Sequence, residues 1–267
     1  MNIKRLFKKH ISNFKSLTEA FPSDQEMKWL IISPHDDDAV IGMGLTLIQA
    51  SSERIDSSVL IVTDGSMGYG LLEDLDNIID IRKKETLEGY AILGIGPERI
   101  LRLEYPDANL GNFRGRYSAN TDNILNNSGF GGLLNSLVFQ IRKINPTHVF
   151  INTCFDPHPD HKVVAEEATW ACLLSSENIW PELGDSCATL DIIFYAVYRG
   201  FAEQPSLQLS AINQHLEKKL ESISAWKSQK QIVKLVENIK AAGPIEYLQE
   251  RQNESSFVKD YARLFEI

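Results

Sequence analysis

The chain has 267 residues, a formal net charge of −9 and a hydrophobic content of 43%. This composition is typical of a globular protein and excludes a disordered chain, and the acidic balance argues against a nucleic-acid-binding surface, which needs clustered Lys and Arg. No apolar run reaches the ~18 residues of a transmembrane helix, so none is predicted.

The first 24 residues form a basic N-terminal extension, and residues 25–267 form the predicted domain. The extension carries Lys4, Arg5, Lys8 and Lys9 but lacks the apolar core of a secretory signal, so we interpret it as part of the mature protein. The cysteines are odd in number and widely spaced, which fits free thiols in a reducing cytoplasm. They are Cys154, Cys172 and Cys187.

Short apolar runs alternate with segments of helical periodicity along the chain. The runs are Trp29–Ser33, Val59–Thr63, Ile100–Leu103, His148–Asn152 and Asp191–Val197. Such runs are typical of strands buried on both faces. The predicted helices are Ala39–Ala50, Ile78–Leu93, Gly132–Ile144, Val163–Leu174, His215–Trp226 and Gln231–Lys240. This alternation predicts a mostly parallel sheet with helices on both faces.

Two predicted loops are long and polar. Residues 107–131 are rich in Asn, Gly, Ser and Arg, and residues 178–189 form the second loop. Long loops in compact domains are usually functional. The first carries aromatic and basic residues that can form a sugar platform, and its arginines can instead recognise a phosphate. The candidates in this loop are Phe113, Arg114, Arg116 and Tyr117, and Tyr69 and Tyr105 precede it.

Histidine and aspartate cluster directly after the first and fourth predicted strands. The first cluster is His35–Asp38, and the second is Asp156–His161. In an open parallel sheet, ligands bind beyond the carboxyl ends of the strands, near the point where the strand order reverses. We therefore expect the two clusters to meet in one site.

Three consecutive carboxylates repel one another unless a positive group neutralises them or one takes up a proton. A divalent metal neutralises them, and a catalytic zinc site has three protein ligands and a place for water. Two ligands from the first cluster and one from the second meet that requirement. Taken singly, an acidic run can also cap a helix, and His-Pro-Asp-His can be a plain turn.

The same residues resemble a known family. Pro34–Asp38 (PHDDD) is similar to the PHPDD signature of the PIG-L/LmbE-like N-acetylglucosaminyl deacetylases, and His158–His161 matches their HPDH signature. The resemblance extends over roughly residues 28–229. Its further matches are Thr63–Gly65 (TDG), Arg82–Glu85 (RxxE), Leu93–Gly94 (LG), Pro106–Asp107 (PD) and Lys219–Gln229 (K…SQ).

The resemblance implies a Rossmann-like, single-domain, three-layer α/β/α fold. It implies hydrolysis of the N-acetyl group of an N-acetylglucosamine-containing small molecule by an enzyme that uses Zn²⁺ or another divalent metal. The implied metal ligands are His35, Asp38 and His161. The implied catalytic residues are Asp37 as general base, His158 as oxyanion donor or acid, and Asp160 as its orienting partner. The implied sugar contacts are Arg82 and Asp107.

Three positions depart from the family pattern. Asp36 replaces the usual Pro and either perturbs Asp37 or faces solvent, and Ala39 replaces a frequent Glu, as in some family branches. Trp226 stands where many members have a smaller residue. No sequence feature settles the conjugate attached to the sugar, and a homo-oligomer is compatible with the chain.

Other functions compete with this one. A metal-dependent hydrolase of a different amide conjugate has the same motifs, and so does a non-catalytic carbohydrate-binding relative. A nucleotide-binding module is suggested by the glycines of residues 65–70, but their spacing is not that of a dinucleotide-binding loop and no Walker lysine follows. Metal analysis and acetate release distinguish these functions.

Overall fold

The computed structural model describes residues 1–6, 11–116, 131–188 and 190–251, and a nine-stranded sheet forms its centre. The strands are β1 (Asn2–Leu6), β2 (Ile11–Phe14), β3 (Lys28–Ser33), β4 (Asp56–Thr63), β5 (Ile100–Tyr105), β6 (His148–Asn152), β7 (Asp191–Tyr195), β8 (Leu207–Ser210) and β9 (Ile245–Glu250). The helices are α1 (Leu17–Ala20), α2 (Asp38–Ser52), α3 (Ile78–Leu93), α4 (Leu133–Ile144), α5 (Pro159–Ser175), α6 (Asn213–Ile223) and α7 (Ile232–Ala242).

The strand order is β2-β1-β8-β9-β7-β6-β3-β4-β5. The five predicted strands, β3 to β7, pair in parallel. The other four pair antiparallel and extend the sheet beyond β7. The α/β fold is therefore confirmed, but the prediction of a mostly parallel sheet is wrong, because the sheet is mixed.

The missed strands are short and partly exposed. Residues Ile245–Glu250 alternate between exposed and buried positions, and Leu207–Ser210 alternate in the same way. A search for continuous apolar runs detects strands that are buried on both faces and passes over such alternating ones. Strands β1 and β2 lie within the first 24 residues, and β1 pairs with β8.

Helices cover both faces of the sheet because successive strand side chains point in opposite directions. Trp29 and Ile31 of β3 join the core beneath α2, α3 and α6. Leu30 and Ile32 of the same strand join the second core, beneath α4 and α5. None of the helices in the described ranges is long and apolar enough to cross a membrane.

The strand order reverses between β3 and β6. From β3 the chain proceeds outward through β4 and β5, then returns to β6 on the other side of β3. Helix α2 begins at Asp38, directly after β3, and α5 begins at Pro159, four residues before its predicted start at Val163. Both His/Asp clusters therefore lie at the switch point of the sheet.

Candidate metal centre

The turn after β3 is held by Ser33. Its hydroxyl donates to the carbonyl oxygen of His35 at 2.6 Å and accepts the N–H of Ala39 at 3.1 Å. Asp37 occupies the N-cap position of α2, but its side chain makes no capping hydrogen bond. Helix capping therefore does not account for the acidic run.

The three predicted metal ligands meet at the switch point. Asp38 Oδ2 lies 3.0 Å from His35 Nδ1 and 2.9 Å from His161 Nε2, and the two nitrogens lie 3.1 Å apart. Neighbouring ligand atoms of a tetrahedral zinc site with bonds of about 2.0–2.1 Å are about 3.3 Å apart. The other oxygen of Asp38, Oδ1, is buried without a hydrogen-bond partner among the described residues. The donor set therefore fits a divalent metal.

Each histidine also contacts a carboxylate through its other ring nitrogen. His35 Nε2 lies 3.0 Å from Asp107 Oδ1, and His161 Nδ1 lies 3.2 Å from Asp156 Oδ1. Carboxylates in this position fix the tautomer and the orientation of ligating imidazoles. Asp156 was assigned no function from the sequence, although it opens the second cluster.

Without a metal, the carboxylates of the site raise the pKa values of His35 and His161. Burial disfavours the charged imidazoles, but the charge of Asp38 outweighs it. Together with hydrogen bonds to Asp107 and Asp160, this charge raises the pKa of His35 well above its usual value. For His161, the Asp38 charge and the Asp156 hydrogen bond outweigh burial and raise its pKa to about 9. A metal must displace protons from such a site.

Asp37 differs from its neighbours. Burial raises the pKa of its carboxyl group, Arg82 partly offsets this effect, and the negative charge of Asp38 adds to it. Arg82 Nη2 lies 3.6 Å from Asp37 Oδ1. The carboxylate is thus a buried base with a raised proton affinity, which is the state required of a general base.

Asp36 is buried between two arginines and does not face solvent. Arg82 Nε donates to its Oδ2 at 2.9 Å, Arg102 Nη1 donates to Oδ1, and the Thr86 hydroxyl donates to Oδ1 at 2.8 Å. Burial opposes the charged carboxylate, but the two guanidinium groups lower the pKa of Asp36 below its usual value. Gly65 permits this packing, because its φ is +73° and a Cβ there would lie 2.7 Å from Arg82 Nε.

His158 caps α5 through its side chain. Its Nδ1 accepts the N–H of Asp160 at 3.3 Å, so the ring proton of the neutral form is on Nε2. Burial and the positive charges of His35 and His161 lower the pKa of His158. Asp160 contacts His158 through this backbone N–H. Its carboxylate accepts instead the N–H groups of Ala108 at 2.7 Å and Leu110 at 3.2 Å.

Two alternative metal triads are present among the described residues. One joins His35 with His158 and His161, and the other joins His35 with Asp107 and Asp160; in each, one donor atom per residue lies within 4.8 Å of the others. The carboxylates of the second triad both lie on the Nε2 side of the His35 ring, whereas Asp38 and His161 lie on its Nδ1 side. They are therefore placed as outer contacts that orient His35.

Most residues of the predicted sugar platform have other partners. Tyr105 is fully buried and its ring lies 5.5 Å from that of Phe113. Arg114 pairs with Glu166, and Arg116 pairs with Glu182. Tyr117 lies outside the described residues. An unpredicted aromatic residue, Tyr198, stacks on His161 instead.

Residues of the C-terminal K…SQ motif pack against helix α3. Ser228 donates to Glu85 through its N–H at 2.7 Å and its hydroxyl at 2.6 Å, which links the K…SQ and RxxE motifs. Trp226 is fully buried against Gly89, where a Cβ would lie 2.6 Å from the indole ring. The large residue at position 226 is thus accommodated by a glycine on α3.

Comparisons with known proteins agree with this architecture. A diacetylchitobiose deacetylase of Thermococcus kodakarensis is 34% identical over 89 residues, 33% of this chain and 33% of that protein, so the match spans about a third of the relative. The N,N′-diacetylchitobiose deacetylase structure from Pyrococcus horikoshii has a TM-score of 0.69 at 23% identity, covering 93% of this chain and 95% of that chain. A conserved protein from Thermus thermophilus has a TM-score of 0.67 at 25% identity, covering 85% of this chain and 95% of that chain.

The sequence profile described as GlcNAc-PI de-N-acetylase, PIG-L, matches residues 30–172. This span exceeds half of the chain and contains both His/Asp clusters, most of β3 and of α5, and all of β4 to β6. The chain therefore belongs to the PIG-L family.

Proposed function

We propose that the protein is a zinc-dependent deacetylase that hydrolyses the N-acetyl group of an N-acetylglucosamine-containing small molecule. The observation that carries this proposal is the triangle of His35 Nδ1, Asp38 Oδ2 and His161 Nε2, with sides of 3.0, 2.9 and 3.1 Å. When bound there, Zn²⁺ would lower the pKa of a water molecule and polarise the amide carbonyl group.

Asp37 is the general base in this proposal. Its carboxylate is adjacent to the ligand Asp38, makes no capping hydrogen bond and has a raised pKa. It takes the proton of the attacking water and returns it to the leaving amine, because a carboxyl group of raised pKa is both a better base and a usable acid near neutral pH.

His158 stabilises the developing oxyanion as a neutral donor. The lowered pKa of His158 and the acceptor role of its Nδ1 favour a neutral ring with its proton on Nε2. A preorganised donor of this kind contributes roughly 3 kcal/mol to transition-state stabilisation. Asp160 orients the ring through its backbone N–H.

Arg82 and Asp107 are the proposed sugar contacts. Each also contacts another residue of the site. Arg82 is held by Asp36 beside Asp37, and Asp107 accepts hydrogen bonds from His35 and from the N–H of Met67. Each Asp107 oxygen retains a lone pair for a sugar hydroxyl. We place both residues at the edge of the acetyl-binding site.

An acetate-release screen tests the proposal. The purified protein is incubated with GlcNAc, N,N′-diacetylchitobiose, UDP-GlcNAc, GlcNAc-inositol and GlcNAc-malate, with added Zn²⁺ and after chelation. We expect zinc-dependent acetate release from at least one conjugate. Zinc binding without release from any of them would contradict the deacetylase assignment and favour a hydrolase of another amide conjugate or a carbohydrate-binding protein.

A further inference from the structure

Tyr198 lies at the edge of the proposed metal centre. It follows β7 by three residues, and its ring stacks on the imidazole of His161 with centroids 5.6 Å apart and planes inclined by 14°. The residue is nevertheless 50% exposed. One face of the ring thus covers a proposed ligand, while much of the side chain remains open to solvent.

The backbone of Tyr198 is hydrogen-bonded to Asp156, which also contacts His158 and His161. Its N–H donates to Asp156 Oδ2 at 3.0 Å. The other oxygen of Asp156 lies 3.2 Å from His161 Nδ1 and accepts the N–H of His158 at 3.1 Å. The backbone of Tyr198 is therefore bound to the same carboxylate as His158 and His161.

We infer that the Tyr198 ring is a wall of the sugar-binding site, against which the apolar face of a pyranose packs. The inference rests on the proposed function. An exposed aromatic ring on a tethered backbone offers apolar area with little loss of conformational entropy on binding. Of the predicted platform residues, Tyr105 and Phe113 instead pack on each other.

The structure also allows a purely positioning role, in which the ring only holds His161. The two roles predict different effects on KM and on zinc affinity when the ring is removed. Removal of a sugar wall raises KM and leaves zinc affinity unchanged, whereas removal of a support for His161 lowers zinc affinity.

The test measures kcat, KM and zinc content for Tyr198→Ala and Tyr198→Phe, with the best acetylated substrate of the screen. We expect Tyr198→Ala to raise KM about tenfold, as for loss of one aromatic stacking partner. Its kcat and zinc content should stay near wild type. Tyr198→Phe keeps the ring, so its KM should remain within about twofold of wild type.

Phe155→Ala is the matched control. Phe155 is 53% exposed and also lies three residues beyond its strand, at a position equivalent to Tyr198, because Asn152 of β6 pairs with Tyr195 of β7. We expect its KM to match wild type. An equal rise of KM in both alanine variants would overturn the assignment to Tyr198, and so would loss of zinc in Tyr198→Ala without a KM change.

The two proposals fail in different ways. Acetate release by the wild type with an unchanged KM in Tyr198→Ala would reject the sugar wall and leave the deacetylase assignment intact. Absence of acetate release by the zinc-loaded wild type would reject the proposed function itself, and the sugar wall with it.

Discussion

The three consecutive carboxylates after β3 have three different environments. Asp36 is neutralised by two arginines, and Asp38 by two histidines, which hold the pKa of each carboxyl group below its usual value against the cost of burial. Burial raises the pKa of Asp37, and the positive charges of Arg82, 3.6 Å away, and of His35 only partly offset this effect. The repulsion among like charges is thus resolved by distinct partners, and the raised pKa of Asp37 fits its proposed role as proton acceptor.

Replacement of the proposed base should separate metal binding from catalysis. Asp37→Asn keeps the shape of the side chain and leaves the ligand triangle intact, so zinc content should stay near wild type. Turnover should fall at least 100-fold, roughly the contribution of a general base. His35→Ala, Asp38→Ala or His161→Ala should lose zinc and turnover together. Metal analysis and initial rates on the same preparations measure both effects.

Asp80→Asn is a suitable control for the Asp37 variant. Asp80 is exposed in the first turn of α3, so the same chemical change there should leave zinc content and turnover unchanged. Near-wild-type turnover in Asp37→Asn would contradict the base assignment, while zinc loss would place Asp37 among the ligands.

The burial of Asp36 could not be predicted from the sequence. The motif placed it beside the site, yet its burial depends on Arg102 of β5 and Arg82 of α3, which are distant in sequence. No local pattern indicates that these side chains converge. The role of Asp156 could have been predicted, because this residue opens the second His/Asp cluster.

Helix α2 contains a break that no prediction included. Met43 has non-helical angles, φ −143° and ψ 27°. Glu246 of β9 accepts the N–H of Leu45 at 2.8 Å and that of Thr46 at 2.9 Å, and it pairs with Lys219 of α6 at 2.6 Å. A buried ion pair thus caps the second half of α2, the helix that begins with Asp38.

Disruption of this pair should destabilise the fold. Glu246→Gln leaves the buried ammonium group of Lys219 uncompensated, so the free energy of unfolding should fall by about 3 kcal/mol. The double variant with Lys219→Met should regain part of that loss. Urea unfolding of the metal-free protein measures both changes.

An exposed ion pair provides the comparison for Glu246. Lys234 and Glu237 are 3.7 Å apart with side chains 76% and 65% exposed. Glu237→Gln should therefore change the free energy of unfolding by less than about 0.5 kcal/mol. Equal effects of the two Gln substitutions would contradict a structural role for the buried pair.

At the element scale, the sequence predicted the strands that are buried on both faces of the sheet. The parallel strands β3, β4 and β6 carry continuous runs of buried residues. Helix α3 ends at Gly94, whose φ is +89°, as its sequence predicts. The break in α2 was missed although Gly42 and Gly44 flank Met43, because its cause is a carboxylate from β9. Strand β9 itself was missed because only alternate residues are buried.

For the whole molecule, sheet topology determines the site. Two turns 126 residues apart, at His35 and His161, meet because β3 and β6 are parallel neighbours. Alternating elements and the two motifs predicted this convergence. They did not predict Tyr198, because nothing in the sequence around β7 indicates which loop residue reaches His161.

Metal and protons should compete for the folded protein in a defined pH range. The pKa of His161 is about 9 when folded without metal, above its ordinary value of 6.5. A raised pKa stabilises the fold fully below pH 6.5, and this contribution is lost as the pH rises towards 9. The metal-free protein should therefore lose stability from pH 6.5 to 9.

The zinc-loaded protein should keep its stability over this range, because zinc binds the neutral imidazole and the unfolded chain also carries a neutral imidazole above pH 6.5. Zinc affinity should rise by up to about tenfold per pH unit for each displaced proton. The Tm difference between loaded and chelated protein should consequently widen from pH 6.5 to 9, a range anchored on His161. Thermal unfolding with Zn²⁺ or a chelator at each pH measures it, and His161→Ala should abolish the widening. A Tm difference independent of pH would show that the histidines do not bind the metal.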